Sequence, residues 1–196
     1  MKAIILDLDG VYFSIGTNNF IDAISRLGIS KEKIIDIYLK SDMMKKYKSG
    51  LLDGKAFWDY AIKEWGLKKT RQEIFQILED SYDLNTKKKE IMKILDQNNI
   101  KRIVCTNNFP ERIKILDRRF DFLREFDYKI FSYEEHMLKP ELLGVVSEKT
   151  GIRNEDILFL DDSKANIDYA ESIGMNAILI NEPTRVLKNL KEIFNK

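Results

Sequence analysis

Cysteine, proline and histidine are scarce: 196 residues include one cysteine, three prolines and one histidine. The lone Cys105 excludes an intramolecular disulfide and fits a reducing compartment. Its setting, Ile103-Val104-Cys105-Thr106, reads as a buried strand in which the thiol is a small apolar filler. Charge of one sign is lacking too. Lys and Arg number 33 against 32 Asp and Glu, so nothing global points to nucleic acid or a membrane surface as partner. No apolar run is long enough to span a bilayer. Only five apolar residues precede Asp7, too few for a signal peptide, and no small-residue cleavage site follows. The expected location is cytoplasmic. No repeat, low-complexity tract or flexible linker breaks the chain.

What is present begins at the first residues. Met1-Lys2-Ala3-Ile4-Ile5-Leu6 is an apolar run long enough for one buried strand, and it ends in Asp7 and Asp9, then Gly10. A parallel sheet covered on both faces requires short strands of this kind. In doubly wound sheets the ligand crevice lies at the carboxyl ends of the strands. Two carboxylates at that edge repel each other, so a cation, a proton or both is expected between them. A strand ending in a solvated acidic turn is the alternative.

Residues 17 to 82 read as successive amphipathic helices. Phe20, Ile21, Ile24 and Leu27 form a stripe before Gly28, and Ser30 is placed to cap a second helix with Ile34, Ile35, Tyr38 and Leu39. Met43, Met44 and Tyr47 mark a third. Phe57, Trp58, Ala61, Ile62 and Trp65 mark a fourth, ending at Gly66, and Ile74, Phe75, Ile77 and Leu78 a fifth. After about residue 85, helices alternate with strands over Arg102 to Thr106, Tyr128 to Ser132, Ile157 to Leu160 and Ala177 to Ile180. Pro110 and Pro140 are each placed to open a helix. The terminal helix carries Val186, Leu187, Leu190 and Ile193. The expected fold is α/β: a Rossmann-like parallel sheet core over 1–16 and 83–196, with an inserted helical cap over 17–82. The basic cluster Lys87-Lys88-Lys89 is read as a solvated helix face.

Polar groups gather at the ends of the strands: Asp7 and Asp9; Thr106, Asn107 and Asn108; Lys139; Asp161, Asp162 and Ser163. Four carboxylates at one edge need compensation, which a hard cation such as Mg²⁺ supplies through oxygen ligands. A lysine, a threonine hydroxyl and free backbone N–H groups suit a phosphoryl group. With such a cation, one aspartate can attack phosphorus and the other can protonate the leaving alkoxide, then deprotonate a water.

Asp7-Leu8-Asp9-Gly10-Val11, Thr106-Asn107-Asn108, Lys139-Pro140 and Leu160-Asp161-Asp162-Ser163 resemble the four ordered motifs of the haloacid dehalogenase superfamily. The position of the helical insert is similar to that in the branch with a cap between the first and second motifs, whose members include sugar phosphatases and epoxide-hydrolase-N-domain-like proteins. The resemblance implies a Mg²⁺-dependent phosphatase acting on a small phosphorylated metabolite, such as a sugar phosphate, through an aspartyl-phosphate. It makes Asp7 the nucleophile and a metal ligand. Asp9 becomes the general acid/base and binds the metal through its backbone carbonyl. Thr106 and the amide of Asn107 hold the phosphoryl oxygens, and Lys139 steadies the phosphoryl group and the nucleophile's charge. Asp162 is a direct metal ligand, and Asp161 orients a metal-bound water. Asn166 stands where some relatives have an acid. The family's dehalogenases lack the second aspartate, so Asp9 favours phosphoryl transfer. A phosphomutase uses the same core chemistry, and a phosphoacceptor module is a third reading that motif order disfavours. His136 is read as structural or surface rather than catalytic, and the aromatic face of Phe57, Trp58 and Trp65 as cap core rather than pocket lining. Met43, Met44 and Tyr47 are read equally as packing or as lining of a substrate mouth. Tyr12 and Phe13 are read equally as packing or as lining of a substrate mouth.

Overall fold

Strand β1 (Ala3–Leu6) is buried along its whole length and forms the centre of the sheet. The computed structural model describes residues 1–14, 16–180, 182 and 185–194. Ile15, beside the expected domain boundary, and residues 195–196, at the end of the expected core, lie outside them. Strands β2 (Lys101–Thr106), β3 (Tyr128–Phe131), β4 (Ile157–Asp161) and β5 (Asn176–Leu179) complete a five-stranded sheet of order β3-β2-β1-β4-β5. All four pairings are parallel, with Leu6 opposite Val104 on one side and Leu160 on the other. The chain fills one half of the sheet outward from β1 and then returns to fill the other. The β1/β4 junction is therefore the switch point at which a crevice opens beyond the carboxyl ends.

The strands are apolar on both faces because both are covered. Ile4, Leu6, Val104, Leu158 and Leu160 belong to one buried cluster, while Ala3, Ile5, Ile103, Cys105, Ile157 and Phe159 belong to another. Alternation along each strand thus feeds two cores. Cys105 is fully buried, and burial pushes its thiol up to about 12, as expected of a filler.

Five helices follow β1: α1 (Gly16–Ser25), α2 (Lys31–Ile35), α3 (Asp42–Lys48), α4 (Gly54–Trp65) and α5 (Arg71–Asp80). Their limits follow local chemistry. The Ser30 side chain accepts from Lys33 N, Ser41 from Met44 N and Asp53 from Ala56 N, while Gly66 ends α4 at φ +70°. Trp58, Phe57, Phe20 and Tyr38 pack their rings together, with Phe109 from the other part of the chain among them. The segments entering and leaving this stretch are stapled: Phe13 bridges Leu84 antiparallel, Ser14 N donates to Asp83 O at 2.9 Å, and Asn85 Nδ2 donates to Val11 O at 2.9 Å.

The remaining helices are α6 (Lys88–Gln97), α7 (Pro110–Phe120), α8 (Ser132–Glu135), α9 (Val146–Thr150), α10 (Lys164–Ser172) and α11 (Arg185–Phe194). Pro110 opens α7 as expected. Three readings change. Pro140 leads into a 3₁₀ turn over Glu141–Val145, with Gly144 weakening helix propensity, and the α-helix begins only at Val146. Leu27 leaves its stripe because α1 ends at Ser25 and a tight turn places Leu27 in solvent, 39% exposed. Lys88 is no solvated lysine: it pairs with Glu125 and sits over the Tyr12 ring. No helix among the described residues is long and apolar enough to cross a membrane.

Candidate active site

Each motif stands at the carboxyl edge of the sheet. Asp7 follows β1 directly and opens a wide π-helical turn over Leu8–Tyr12, closed by Tyr12 N to Asp7 O and Phe13 N to Leu8 O. That turn carries Asp9. Thr106 ends β2, Asp161 ends β4, and Lys139 lies in the segment after α8.

Lys139 joins the motifs electrostatically. Its side chain is 4% exposed, and its ammonium lies 2.9 Å from Asp7 Oδ1 and 2.5 Å from Asp161 Oδ2. Its backbone is held by Asn107, whose Oδ1 accepts from Lys139 N at 2.6 Å. The Asn107 side chain therefore orients Lys139, a role separate from the one expected of its amide. Asp7, Asp161 and Asp162 each offer a carboxylate oxygen within 4.8 Å of the others. Burial pushes Asp7 up to about 6 against the opposing Lys139 ammonium, and the Asp161 charge adds to the rise. Burial, followed by the Asp161 charge, also raises Asp162.

Three carboxylates balanced by one ammonium make a donor set suited to a hard divalent cation. The oxygens are not equally available. Asp161 already accepts from Lys139, from Ser163 N at 2.8 Å and from Asn166 Nδ2 at 3.0 Å. Asp162 is exposed and lines the cavity above. Asn166 thus steadies Asp161.

Asp9 points to different partners. Its Oδ1 accepts from the Arg112 guanidinium and its Oδ2 from Thr17 Oγ1 at 3.2 Å. Burial would raise this carboxyl, but the charge and hydrogen bond of Arg112, then the Lys48 charge and Thr17, together hold it below its usual range. Arg112 is 2% exposed, with its guanidinium 4.6 Å from the centre of the Tyr82 ring. Replacing Arg112 by Met removes the charge balancing Asp9 and is expected to destabilise the fold by about 2 kcal/mol, below the range for a fully buried pair because the Asp9 side chain is 36% exposed. A lowered carboxyl contributes stability that is present above its unfolded value of 3.8 and lost as pH falls through its folded value. The variant's deficit is therefore full near neutral pH and narrows as pH falls below 3.8, as urea unfolding across pH would show. Equal stability and an unmoved acid limb would exclude the Arg112–Asp9 pair.

Asp7, Asp9 and Asp162 line a cavity of about 320 Å³ whose wall also includes Thr17, Tyr38, Leu39, Lys48 and Arg112. Arg112 and Lys48 escaped the sequence reading, although a signal was present. Arg112, Ile115 and Leu116 fall at i, i+3 and i+4 on α7, as do Met44, Tyr47 and Lys48 on α3. Each cation therefore stands on an apolar stripe. Phe57, Trp58 and Trp65 are buried in packing, as are Tyr12 and Phe13 beside Phe122. Met44 and Tyr47 are buried too. His136 is structural: its Nδ1 lies 3.1 Å from Ser49 O, joining α3 to the segment after α8.

The sheet order, the acidic cluster and the lysine shared between Asp7 and Asp161 place a site suited to a cation and an anion at the switch point of an α/β fold. The sequence profile of the haloacid dehalogenase-like hydrolases matches residues 1–174, and the chain belongs to that family. A haloacid dehalogenase family enzyme from Bacteroides thetaiotaomicron, solved with magnesium and inorganic phosphate, superposes with a TM-score of 0.78 at 21% identity over 91% of this chain and 93% of that one. An L-2-haloacid dehalogenase from Xanthobacter autotrophicus superposes with a TM-score of 0.65 at 18% identity over 90% and 76%. Drimenol cyclase from Aspergillus calidoustus is 28% identical over 99% of this chain; the chain spans 37% of that relative's length.

Proposed function

We propose that the protein is a Mg²⁺-dependent phosphatase acting on a small phosphate monoester, such as a sugar phosphate. The observation that carries this reading is the Lys139 ammonium shared by Asp7 and Asp161, with Asp9 two residues away on the same cavity wall. The Bacteroides relative, solved with magnesium and phosphate, supports the choice of ligands. Asp7 and Asp162 would hold the cation directly, with the Asp9 carbonyl as a further ligand and Asp161 acting through a bound water. When bound, the cation offsets the repulsion between a phosphate dianion and a carboxylate nucleophile.

Asp7 then attacks phosphorus in line. The bond from phosphorus to the leaving oxygen breaks, and Asp9, once it has left Arg112 and taken up a proton, gives that proton to the oxygen. Lys139, Thr106 and the Asn107 amide hold the charge on the transferring oxygens. In the second half, Asp9 takes a proton from water, and the resulting hydroxide displaces Asp7 from phosphorus. Displacement of an alkyl halide needs no proton for its leaving group, so the acid at Asp9 sets this chain toward phosphoryl transfer rather than dehalogenation. Helices α1–α5, over residues 17–82, serve as the cap that limits substrate size and excludes bulk water.

Phosphate release from a panel of sugar phosphates and nucleotides, with Mg²⁺ and with EDTA, tests the reading. Mg²⁺-dependent release supports it; no release from any ester would contradict it. Asp162→Ala is expected to raise the Mg²⁺ concentration for half-maximal rate by about tenfold or more. An unchanged Mg²⁺ dependence would move the direct ligand to Asp161.

A further inference from the structure

Phosphoryl transfer at Asp7 leaves part of the cavity wall unused. Tyr38, Lys48 and Arg112 line the cavity together with Asp9. Tyr38 is 2% exposed, and its hydroxyl is buried with no hydrogen-bond partner; Arg112 Nε is likewise buried and unpaired. The other cations of the site are matched, Lys139 by Asp7 and Asp161, and Arg112 by Asp9. Among the described residues, the Lys48 ammonium has no ion-pair or hydrogen-bond partner.

The setting of Lys48 is fixed from the sheet side. Ser132 Oγ donates to Lys48 O at 2.6 Å and accepts from Asn108 N at 2.9 Å, tying α3 to the second motif. Gly50, at φ +70°, packs against the backbone carbonyl of Tyr133 where a Cβ would collide. On the other side, Tyr47 donates to Glu111, the neighbour of Arg112. The end of α3 is therefore clamped, and Lys48 is presented to the cavity from a rigid turn. Burial and then the Arg112 charge push its ammonium down to about 8, against the pull of Asp9 and Asp7, so holding the charge there without a counter-ion is unfavourable. Burial holds the Tyr38 hydroxyl above its usual range, so it remains a proton donor at neutral pH. An ammonium, a guanidinium and a hydroxyl on residues that line one cavity are the donors an oxyanion takes.

We propose that Tyr38, Lys48 and Arg112 form a subsite for a second oxyanion on the leaving alcohol, making the substrate a small phosphate monoester that also carries a carboxylate or a second phosphate. The inference rests on the phosphatase reading above and narrows it. A neutral ester leaves the half-buried Lys48 unpaired, whereas a second oxyanion pairs it. Because Arg112 also holds Asp9, an anion on this wall brings the leaving oxygen to the acid that protonates it. A cavity of about 320 Å³ restricts the choice to small compounds.

The test compares kcat/KM, with Mg²⁺, within pairs whose members differ by one oxyanion: 3-phosphoglycerate against glycerol 3-phosphate, and glucose 1,6-bisphosphate against glucose 1-phosphate. The wild type is expected to prefer the acidic member of at least one pair by about tenfold or more. The pair that shows the preference identifies the oxyanion as carboxylate or phosphate. Lys48→Met should collapse that ratio, and Lys48→Arg should keep it. No preference in either pair, or a preference that Lys48→Met leaves intact, would overturn the subsite. Calorimetry with phosphonoacetate and ethylphosphonate, neither of which is turned over, separates the two claims. Selective binding of phosphonoacetate that is lost in Lys48→Met, together with no hydrolysis of any ester, would retain the subsite and remove the phosphatase reading. Hydrolysis without any selectivity in rate or binding would do the reverse.

Discussion

Asp7→Asn is expected to abolish phosphate release, with kcat/KM falling by a factor on the order of a thousand or more, since no other group stands in for a lost nucleophile. The same change should not weaken the metal-free fold. Asp7 is buried beside Asp161 and its carboxyl is pushed up to about 6, so its charged form opposes folding at neutral pH. The sign follows from proton linkage. A carboxyl raised from 3.8 to about 6 contributes stability that is present below its unfolded value and lost as pH rises through about 6. Above that window the wild type bears the whole penalty, and the amide removes it. In EDTA at neutral pH, the thermal midpoint of Asp7→Asn should therefore match or exceed that of the wild type. Mg²⁺ should raise the midpoint more for the wild type than for the variant. A variant that keeps near-normal turnover would contradict the assignment of Asp7, and an inactive variant with a collapsed midpoint would make its inactivity uninformative about chemistry.

Lys139→Met should give the opposite pattern. Its ammonium lies between Asp7 and Asp161, and all three side chains are largely buried, at 4%, 13% and 1% exposure. Removing the cation leaves two adjacent carboxylates without their shared partner, a change that costs about 3 kcal/mol or more in comparable buried pairs. Urea unfolding in EDTA should show that loss, and Mg²⁺ should restore part of it because a divalent cation compensates the same carboxylates. Activity should fall as well, since the charge that steadies Asp7 is gone. Wild-type stability in EDTA would mean that the pairing of Lys139 with both aspartates does not hold in solution.

Much of this arrangement is legible in the order of residues. Each expected strand lies within a residue or so of its observed limits, because a short apolar run closed by polar groups leaves a buried parallel strand little freedom. Ser30, Gly66 and Pro110 mark helix ends by chemistry local to the chain. The polar residues at the strand ends converge because parallel pairing in register brings like ends together. What escaped depends on contacts between distant segments. Nothing within α7 alone says that Arg112 meets Asp9, 103 residues earlier in the chain. Nothing near Asn107 says that its side chain clamps the backbone of Lys139. Leu27 and Pro140 failed as local readings because a turn and a glycine outweighed apolar spacing. The most useful missed signal was charge on an apolar helical stripe, which marks both Lys48 and Arg112.

The central claim is that Asp7 is phosphorylated during turnover. Its most direct test is acid quenching during steady-state hydrolysis with Mg²⁺, followed by digestion and mass spectrometry. A peptide containing Asp7 should carry the mass of one phosphoryl group in the wild type and not at all in Asp7→Asn. Phosphate release with no adduct on that peptide, or an adduct on any other residue, would contradict the account.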